Sequence, residues 1–138
     1  MIPAWVESYI GLPWKDRGRT REGCDCFGLL RLVYAEVFNI QLPSYELRYP
    51  STTDKVAVAR LFFEETTSTR WRQVFLRDAT PPDALLMAVA GAQHVGILVA
   101  TERFLHILPG RQTCVERFRP MWTNRVEAVY RHEALVLV

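Results

Sequence analysis

The sequence is poor in cysteine and in net charge, and it has no long hydrophobic run. Three cysteines among 138 residues argue against a disulfide framework, and the odd number leaves at least one free thiol. A net charge of +2 is too small to favour a nucleic acid or a membrane surface as the partner. No apolar stretch approaches the roughly 18–20 residues of a membrane span. The first residues also lack the basic and apolar regions of a secretory signal, so we expect synthesis in the cytoplasm.

Apolar residues, in contrast, are plentiful. They make up 49% of the chain, which is enough to bury a core without disulfides or a structural metal. Neither an internal repeat nor a linker-like segment interrupts the sequence. We therefore expect residues 1–138 to form a single domain.

Three segments in the first half of the chain have helical patterns. Residues 2–10 place apolar side chains on one side at helical spacing, and the G-L-P sequence that follows ends this helix. Asp25 is a good N-cap for a strongly apolar helix over residues 26–38. Asp54 is the expected cap of a surface helix over residues 54–65.

The second half changes to a β pattern. Short runs rich in β-branched and aromatic residues are separated by glycine and proline. The predicted strands cover residues 84–88, 94–99, 104–108, 113–117 and 126–132. Helices followed by an antiparallel meander indicate an α+β domain, with N-terminal helices packed on a C-terminal antiparallel sheet. We expect the apolar end, residues 134–138, to finish a strand.

Cys26 is the strongest candidate nucleophile because it lies in the first turn of a predicted helix. Free backbone N–H groups and the helix dipole favour negative charge there. We therefore expect the thiol pKa to fall below its ordinary value of about 8.5, and the same N–H groups to stabilise an oxyanion. The alternative is that Cys26 is a small buried hydrophobic residue, the commonest role of a free cysteine. Packing is the better interpretation for Cys24 and Cys114.

Two of the three histidines fall on neighbouring predicted strands. His94 opens one apolar strand, and His106 lies on the next. Antiparallel pairing would bring the two imidazoles together, so that His106 fixes the tautomer and orientation of His94 as a base. Each histidine could instead be a hydrogen-bonded residue at a strand end. His132 has no such neighbour in the pattern and is expected at the surface.

Two other interpretations of the polar residues are weaker. Cys24, Cys26, His94 and His106 are zinc-ligand types, but C-x-C is too tight for the usual chelate, and a metal would consume the thiol. We therefore predict no metal. The basic stretch over residues 15–22 could contact DNA or carboxylates, but its acidic neighbours and lack of interleaved aromatic residues favour a solvated loop.

Four motifs, taken in order, resemble those of a known family. They are G-L-P-W at residues 11–14, G-C-D-C-F-G-L-L at 23–30, H-V-G-I at 94–97 and F-L-H at 104–106. They resemble the NlpC-type cysteine peptidases. The resemblance implies a papain-like α+β fold in which Cys26 is the nucleophile, His94 the base and His106 the orienting residue, without a cofactor. It also implies cleavage of peptidoglycan stem peptides, often between D-γ-glutamate and a diamino acid.

Asp25 and Trp14 are the residues expected to support the site or contact substrate. Trp14 stands where the family usually has a tyrosine whose hydroxyl lines the site, and an indole cannot accept a hydrogen bond. This departure motivates a rival hypothesis, a structural protein that keeps the fold but does little catalysis. A second rival is an amidase or acyltransferase with the same triad.

Further motifs resemble the compact family members of tailed bacteriophages and gene transfer agents. These are R-L-V-Y at residues 31–34, W-x-N-R-V at 122–126 and Y-R at 130–131. The resemblance implies a tail-tip component that opens the wall during genome delivery, in contact with other tail-tip or baseplate proteins. The virion would then carry the protein from the host cytoplasm to the wall.

Overall fold

Two helices pack against an antiparallel sheet in the computed structural model, which describes residues 1–136. The helices are α1 (Cys26–Phe38) and α2 (Lys55–Thr66). A small hairpin of β1 (Arg19–Thr20) and β2 (Gly23–Cys24) precedes α1. The sheet consists of β3 (Trp71–Val74), β4 (Ala84–Val89), β5 (Ala92–Ala100), β6 (Arg103–His106), β7 (Cys114–Arg117) and β8 (Val126–His132). The predicted α+β class, with helices before the sheet, is confirmed.

Both ends of α1 are explained by local sequence. The Asp25 carboxylate accepts a hydrogen bond from the backbone N–H of Gly28 at 2.8 Å and so satisfies one of the free donors of the first turn. Asn39 ends the helix in the left-handed region, with a φ of 56°, which asparagine tolerates well. Between the caps, Leu29 and Val33 are buried in the core. The predicted bounds of this helix are confirmed.

α2 is capped in the same way. The Asp54 carboxylate accepts a hydrogen bond from the backbone N–H of Ala57 at 3.0 Å. Leu61 and Phe62 are buried while Phe63 is exposed, so the helix presents one apolar side to the core, as a surface helix does. Within residues 1–136, none of the helices has both the length and the apolarity needed to cross a membrane.

The sheet order is β3-β8-β4-β5-β6-β7, and every neighbouring pair is antiparallel. β4 to β7 form a meander. β8 does not continue it but returns to lie between β3 and β4, where Val129 pairs with Leu85. The expectation of one meander through all the predicted strands was therefore wrong. β3 was not predicted, because W-R-Q-V is too short to show a clear alternation.

The two faces of the sheet bury two separate apolar clusters. Ile97 and Leu105 belong to the larger cluster, which lies between the sheet and the helices. Their neighbours Leu98 and Phe104 belong to the smaller cluster, which also includes Trp122. This division follows from the alternation of side chains along a strand. The segment containing Trp122 therefore covers the sheet face that the helices leave free.

Both ends of the chain differ from the sequence-based expectations. The helix predicted over residues 2–10 is a shorter 3₁₀ helix, Ala4–Tyr9. Glu133–Leu135 forms another 3₁₀ helix rather than a strand, and residues 137–138 of the predicted strand lie outside the described residues. His132 is buried rather than at the surface. Its Nδ1 accepts a hydrogen bond from the N–H of Ala134 at 3.1 Å, and its ring packs edge-on against Trp71.

Gly28 lies where α1 meets the loop before β1. A Cβ atom added at this position would lie 2.0 Å from the carbonyl oxygen of Gly18, so the helix and the loop would have to separate. We expect Gly28→Ala to lower the free energy of unfolding by about 2 kcal/mol or more. Urea unfolding measures the change, and a midpoint equal to that of the wild type would contradict the close contact.

Candidate active site

One cavity of about 330 Å³ brings together residues that are far apart in the sequence. Its wall includes Cys26 from the start of α1 and His94 from β5. Trp14 and Lys55 form other parts of the wall, and Ile107 contributes an apolar surface. Three of the residues selected from the sequence, Cys26, His94 and Trp14, therefore face the same space.

Cys26 is the first residue of α1, but its electrostatic environment differs from the expected one. Burial and, next, the charge of Asp25 raise the pKa of the Cys26 thiol to about 12. The backbone N–H groups of Val95 and Phe27 act in the opposite direction and lower this pKa. The expected fall in the pKa was therefore wrong, because desolvation of a thiolate outweighs the donors around it. A thiol of this kind is protonated at neutral pH and needs a base.

Asp25 fixes the position of the α1 N-terminus. Its carboxylate is almost completely buried, and besides capping the helix it accepts hydrogen bonds from Arg19, at 2.9 Å, and from the Tyr49 hydroxyl. Arg19 also donates to the carbonyl oxygen of Ser44 at 2.8 Å. The interpretation of residues 15–22 as a solvated loop is therefore wrong for Arg19, whose side chain is only 7% exposed.

His94 and His106 contact each other, with 2.9 Å between His94 Nε2 and His106 Nδ1. The antiparallel pairing of β5 and β6, with Ile97 opposite Leu105, brings the two rings together. Burial and the nearby His106 lower the pKa of His94 to about 3. Burial also lowers the pKa of His106, although Glu116 partly opposes the effect. Both rings are therefore neutral at pH 7, the state in which His94 is able to accept a proton.

Glu116 is a residue of this cluster that the sequence did not reveal. Its Oε2 lies 2.5 Å from His106 Nε2. His106 is paired with Cys114 across β6 and β7, and Glu116 lies two residues further along β7, so its side chain points to the same face. An acidic residue in a predicted strand after His106 was the only signal. Without the strand register, that signal does not single out Glu116.

Trp122 covers the histidine pair. Its ring centroid lies 5.0 Å from that of His106 and 6.4 Å from that of His94. Its indole N–H donates to Glu116 Oε1 at 3.4 Å. The indole itself is buried, so it shields the imidazoles from water. This apolar cover is part of the burial that keeps both rings neutral.

The other two cysteines lie apart from the cavity wall. Cys24 is fully buried in β2, and burial raises the pKa of its thiol to about 11. Its main chain forms a bridge with Trp14, so it helps to hold the indole at the wall. Cys114 is partly buried on β7, where burial and then Glu116 raise its pKa.

A metal could be held by a set of residues different from the one considered in the sequence. Potential ligand atoms of His106, Cys114 and Glu116 lie within 4.8 Å of one another. His106 and Glu116, however, already satisfy each other through their hydrogen bond. We therefore assign no metal to this cluster, and the absence of a metal from the site stays a prediction.

Comparison with known families identifies the class of protein. The family model described as the NlpC/P60 family matches residues 11–131. The chain belongs to this family. The resemblance drawn from the motifs around Cys26, His94 and His106 is thereby confirmed at the level of the family. No curated protein matches the chain significantly.

Solved structures of NlpC/P60 proteins are similar to this one. The NlpC/p60 domain of the peptidoglycan hydrolase SagA is 22% identical, with a TM-score of 0.63 and coverage of 93% of each chain. A lipoprotein-like NLP/P60 protein from Staphylococcus aureus subsp. aureus Mu50 is 21% identical, with a TM-score of 0.64, over 91% of this chain and 38% of that one. An NlpC/P60 protein from Bacillus cereus ATCC 10987 is 17% identical, with a TM-score of 0.64, over 96% of this chain and 41% of that one.

These similarities confirm the papain-like NlpC-type fold. The chain spans about two fifths of the length of the S. aureus and B. cereus proteins. Membership of the NlpC/P60 family supports a cysteine-type cell-wall hydrolase, for which peptidoglycan is a fitting substrate.

Proposed function

We propose that this NlpC/P60 protein is a peptidoglycan endopeptidase in which Cys26 is the nucleophile, His94 the base and His106 the orienting residue. The observation that carries the proposal is the shared cavity of Cys26 and His94. His106 supports the assignment because its Nδ1 lies 2.9 Å from His94 Nε2, a contact that orients the His94 ring. A protonated thiol and a neutral imidazole that face the same cavity are the starting state for general-base activation.

The proposed reaction passes through a thioester. His94 takes the thiol proton while the Cys26 sulfur bonds to the carbonyl carbon of the scissile amide. The backbone N–H groups of Phe27 and Val95, which already stabilise negative charge on the sulfur, are the expected donors to the oxyanion. Collapse breaks the C–N bond, and His94 returns the proton to the leaving amine. Water, activated by His94, then hydrolyses the thioester and restores the thiol. No cofactor takes part.

The proposed scissile bond joins D-γ-glutamate to a diamino acid in the stem peptide. Stem peptides carry free carboxylates, and the cavity wall carries the ammonium group of Lys55. This group donates to the carbonyl oxygen of Ala90 at 3.0 Å, which fixes one positive charge at the wall. A cation held beside an otherwise largely apolar cavity attracts an anionic peptide.

Purified muropeptides of known structure test the endopeptidase proposal. The wild-type protein should release a fragment with the diamino acid at its new N-terminus, detected by mass spectrometry. Release of the intact stem from the glycan would identify an amidase, and transfer of the acyl group to an added amine would identify an acyltransferase. If no product forms from muropeptides or from whole cell wall, the result would favour the rival hypothesis of a structural protein, which the Trp14 departure motivates.

We also propose that a phage or phage-like particle carries the protein in its tail tip. Support comes from the sequence motifs at residues 31–34, 122–126 and 130–131. In this role the chain would contact other tail-tip or baseplate proteins and act on the wall from outside the cell. Quantitative mass spectrometry of purified particles should find a fixed, low copy number per tail. Absence of the protein from purified particles would contradict the tail-tip role without affecting the proposed chemistry.

The activity should persist at acidic pH. Protonation of His94 removes the base, so kcat/KM falls as the pH decreases through the pKa of His94. Since burial lowers that pKa to about 3, we expect kcat/KM at pH 5.5 to stay within about twofold of its value at pH 7.5. A histidine with the ordinary pKa of about 6.5 would lose roughly tenfold. Circular dichroism at each pH checks that the protein remains folded, and a tenfold loss with the fold intact would contradict the neutral pair.

A further inference from the structure

The hydrogen bonding of the His94–His106 pair extends beyond His106. A chain of hydrogen bonds continues from His106 Nε2 to Glu116 Oε2 at 2.5 Å, beyond the 2.9 Å contact between the two rings. His106 is fully buried, whereas the Glu116 side chain is 38% exposed. The carboxylate therefore closes the buried pair at its solvent side. Nothing in the proposed thioester chemistry requires this third polar group.

The carboxylate of Glu116 fixes the order of donors and acceptors along these hydrogen bonds. An ionised carboxylate only accepts hydrogen bonds, so Glu116 requires a proton on His106 Nε2. In a neutral ring this leaves His106 Nδ1 without a proton, as an acceptor. His94 must then donate from Nε2, which leaves its Nδ1 unprotonated. One carboxylate thus determines the tautomers of two consecutive rings.

Contacts around these hydrogen bonds hold the order of donors and acceptors in place. The Trp122 indole N–H donates to the second Glu116 oxygen at 3.4 Å, and its ring packs edge-on against His106. Phe104 contacts the His106 ring from another side, with centroids 4.6 Å apart. Burial lowers the pKa of His106, and Glu116 opposes this effect. The carboxylate therefore stabilises the protonated form of His106.

We propose that Glu116 is a positioning residue that sets the tautomer in which His94 Nδ1 is free to take the proton of Cys26. The inference rests on the proposed function and extends it by one residue. Glu116 does not touch substrate in this account. It acts through His106, as a carboxylate acts on a metal-bound or catalytic histidine from its far side.

Kinetics of Glu116→Gln give the first test. The amide can either accept from His106 or donate to it, so both tautomers of the pair become populated. We expect kcat to fall at least about tenfold with KM nearly unchanged, less than the roughly 10⁴-fold loss seen when the direct partner of a catalytic imidazole is changed. Glu116→Asp, which keeps a carboxylate, should recover part of the rate. Glu102→Gln, on the exposed turn between β5 and β6, is the matched control and should behave as wild type.

Nitrogen chemical shifts of the histidine rings give a second test that does not need activity. In protein with Cys26→Ala, the rings of both His94 and His106 should carry their protons on Nε2. Adding Glu116→Gln should produce a mixture of tautomers. Unchanged tautomers together with an unchanged kcat would overturn the role of Glu116. If the tautomers change as expected but even the wild-type protein cleaves no muropeptide, the positioning role stands and the proposed hydrolase function fails.

Discussion

Replacing Cys26 with alanine should abolish the cleavage of muropeptides. Alanine offers no sulfur to form the thioester, so the remaining site can only bind and polarise the substrate. Loss of a catalytic nucleophile reduces kcat by about 10⁴-fold or more in other hydrolases that use covalent catalysis. The rate of appearance of the diamino-acid amine, followed by mass spectrometry, measures the loss.

Cys114→Ala is the matched control for this variant. It removes a partly buried thiol from β7, outside the wall of the shared cavity, and should leave kcat close to that of the wild type. A Cys26→Ala protein that keeps more than a few per cent of the activity would mean that another group attacks the amide. Equal losses in both variants would point to a general effect of removing thiols.

Replacing Asp25 with alanine should cause the largest loss of stability among single substitutions around the site. The change removes the N-cap of α1 and leaves the Arg19 guanidinium, whose side chain is 7% exposed, without its carboxylate partner. Breaking a buried ion pair from one side costs about 3–5 kcal/mol, a large part of the roughly 5–15 kcal/mol that stabilises a domain. The free energy of unfolding, measured in urea, reports this loss.

Asp54→Ala separates the two contributions of Asp25. Asp54 caps α2 through the same type of hydrogen bond, since its carboxylate accepts from the backbone N–H of Ala57 at 3.0 Å. Loss of an N-cap alone costs about 1 kcal/mol. The Asp25 variant should therefore lose at least about 2 kcal/mol more than the Asp54 variant. Similar losses in the two would mean that Arg19 finds another partner or solvent, and that the ion pair does not stabilise the start of α1.

The parts of the molecule that could be predicted from the sequence are those set by local pattern. Asp25 and Asp54 mark helix starts because a cap needs only its own first turn. The α+β class follows from the change of hydrophobic period between the two halves. His94 and His106 lie in contact because they belong to a hairpin, whose pairing is the simplest long-range contact to infer.

The parts that were missed depend on contacts between distant segments. The position of β8 beside β4, and with it the burial of His132, is decided by pairing across the whole second half of the chain. Arg19 was interpreted as solvated because its partner Tyr49 is remote in the sequence. Glu116 joins His106 only through the register of β6 and β7. The Cys26 pKa was misjudged because burial depends on the complete fold. The expectation of one domain over residues 1–138 stays a prediction.

The rate at which iodoacetamide alkylates Cys26, in the wild type and in His94→Ala, tests the central claim most directly. Burial raises the pKa of the Cys26 thiol to about 12, so we expect its reactivity at pH 7.5 to depend on proton removal by His94, which faces the same cavity. Peptide mass spectrometry should find Cys26 labelling at least about tenfold slower without the imidazole, with Cys114 labelled equally in both proteins as the internal reference. The same Cys26 rate in both proteins would contradict the account.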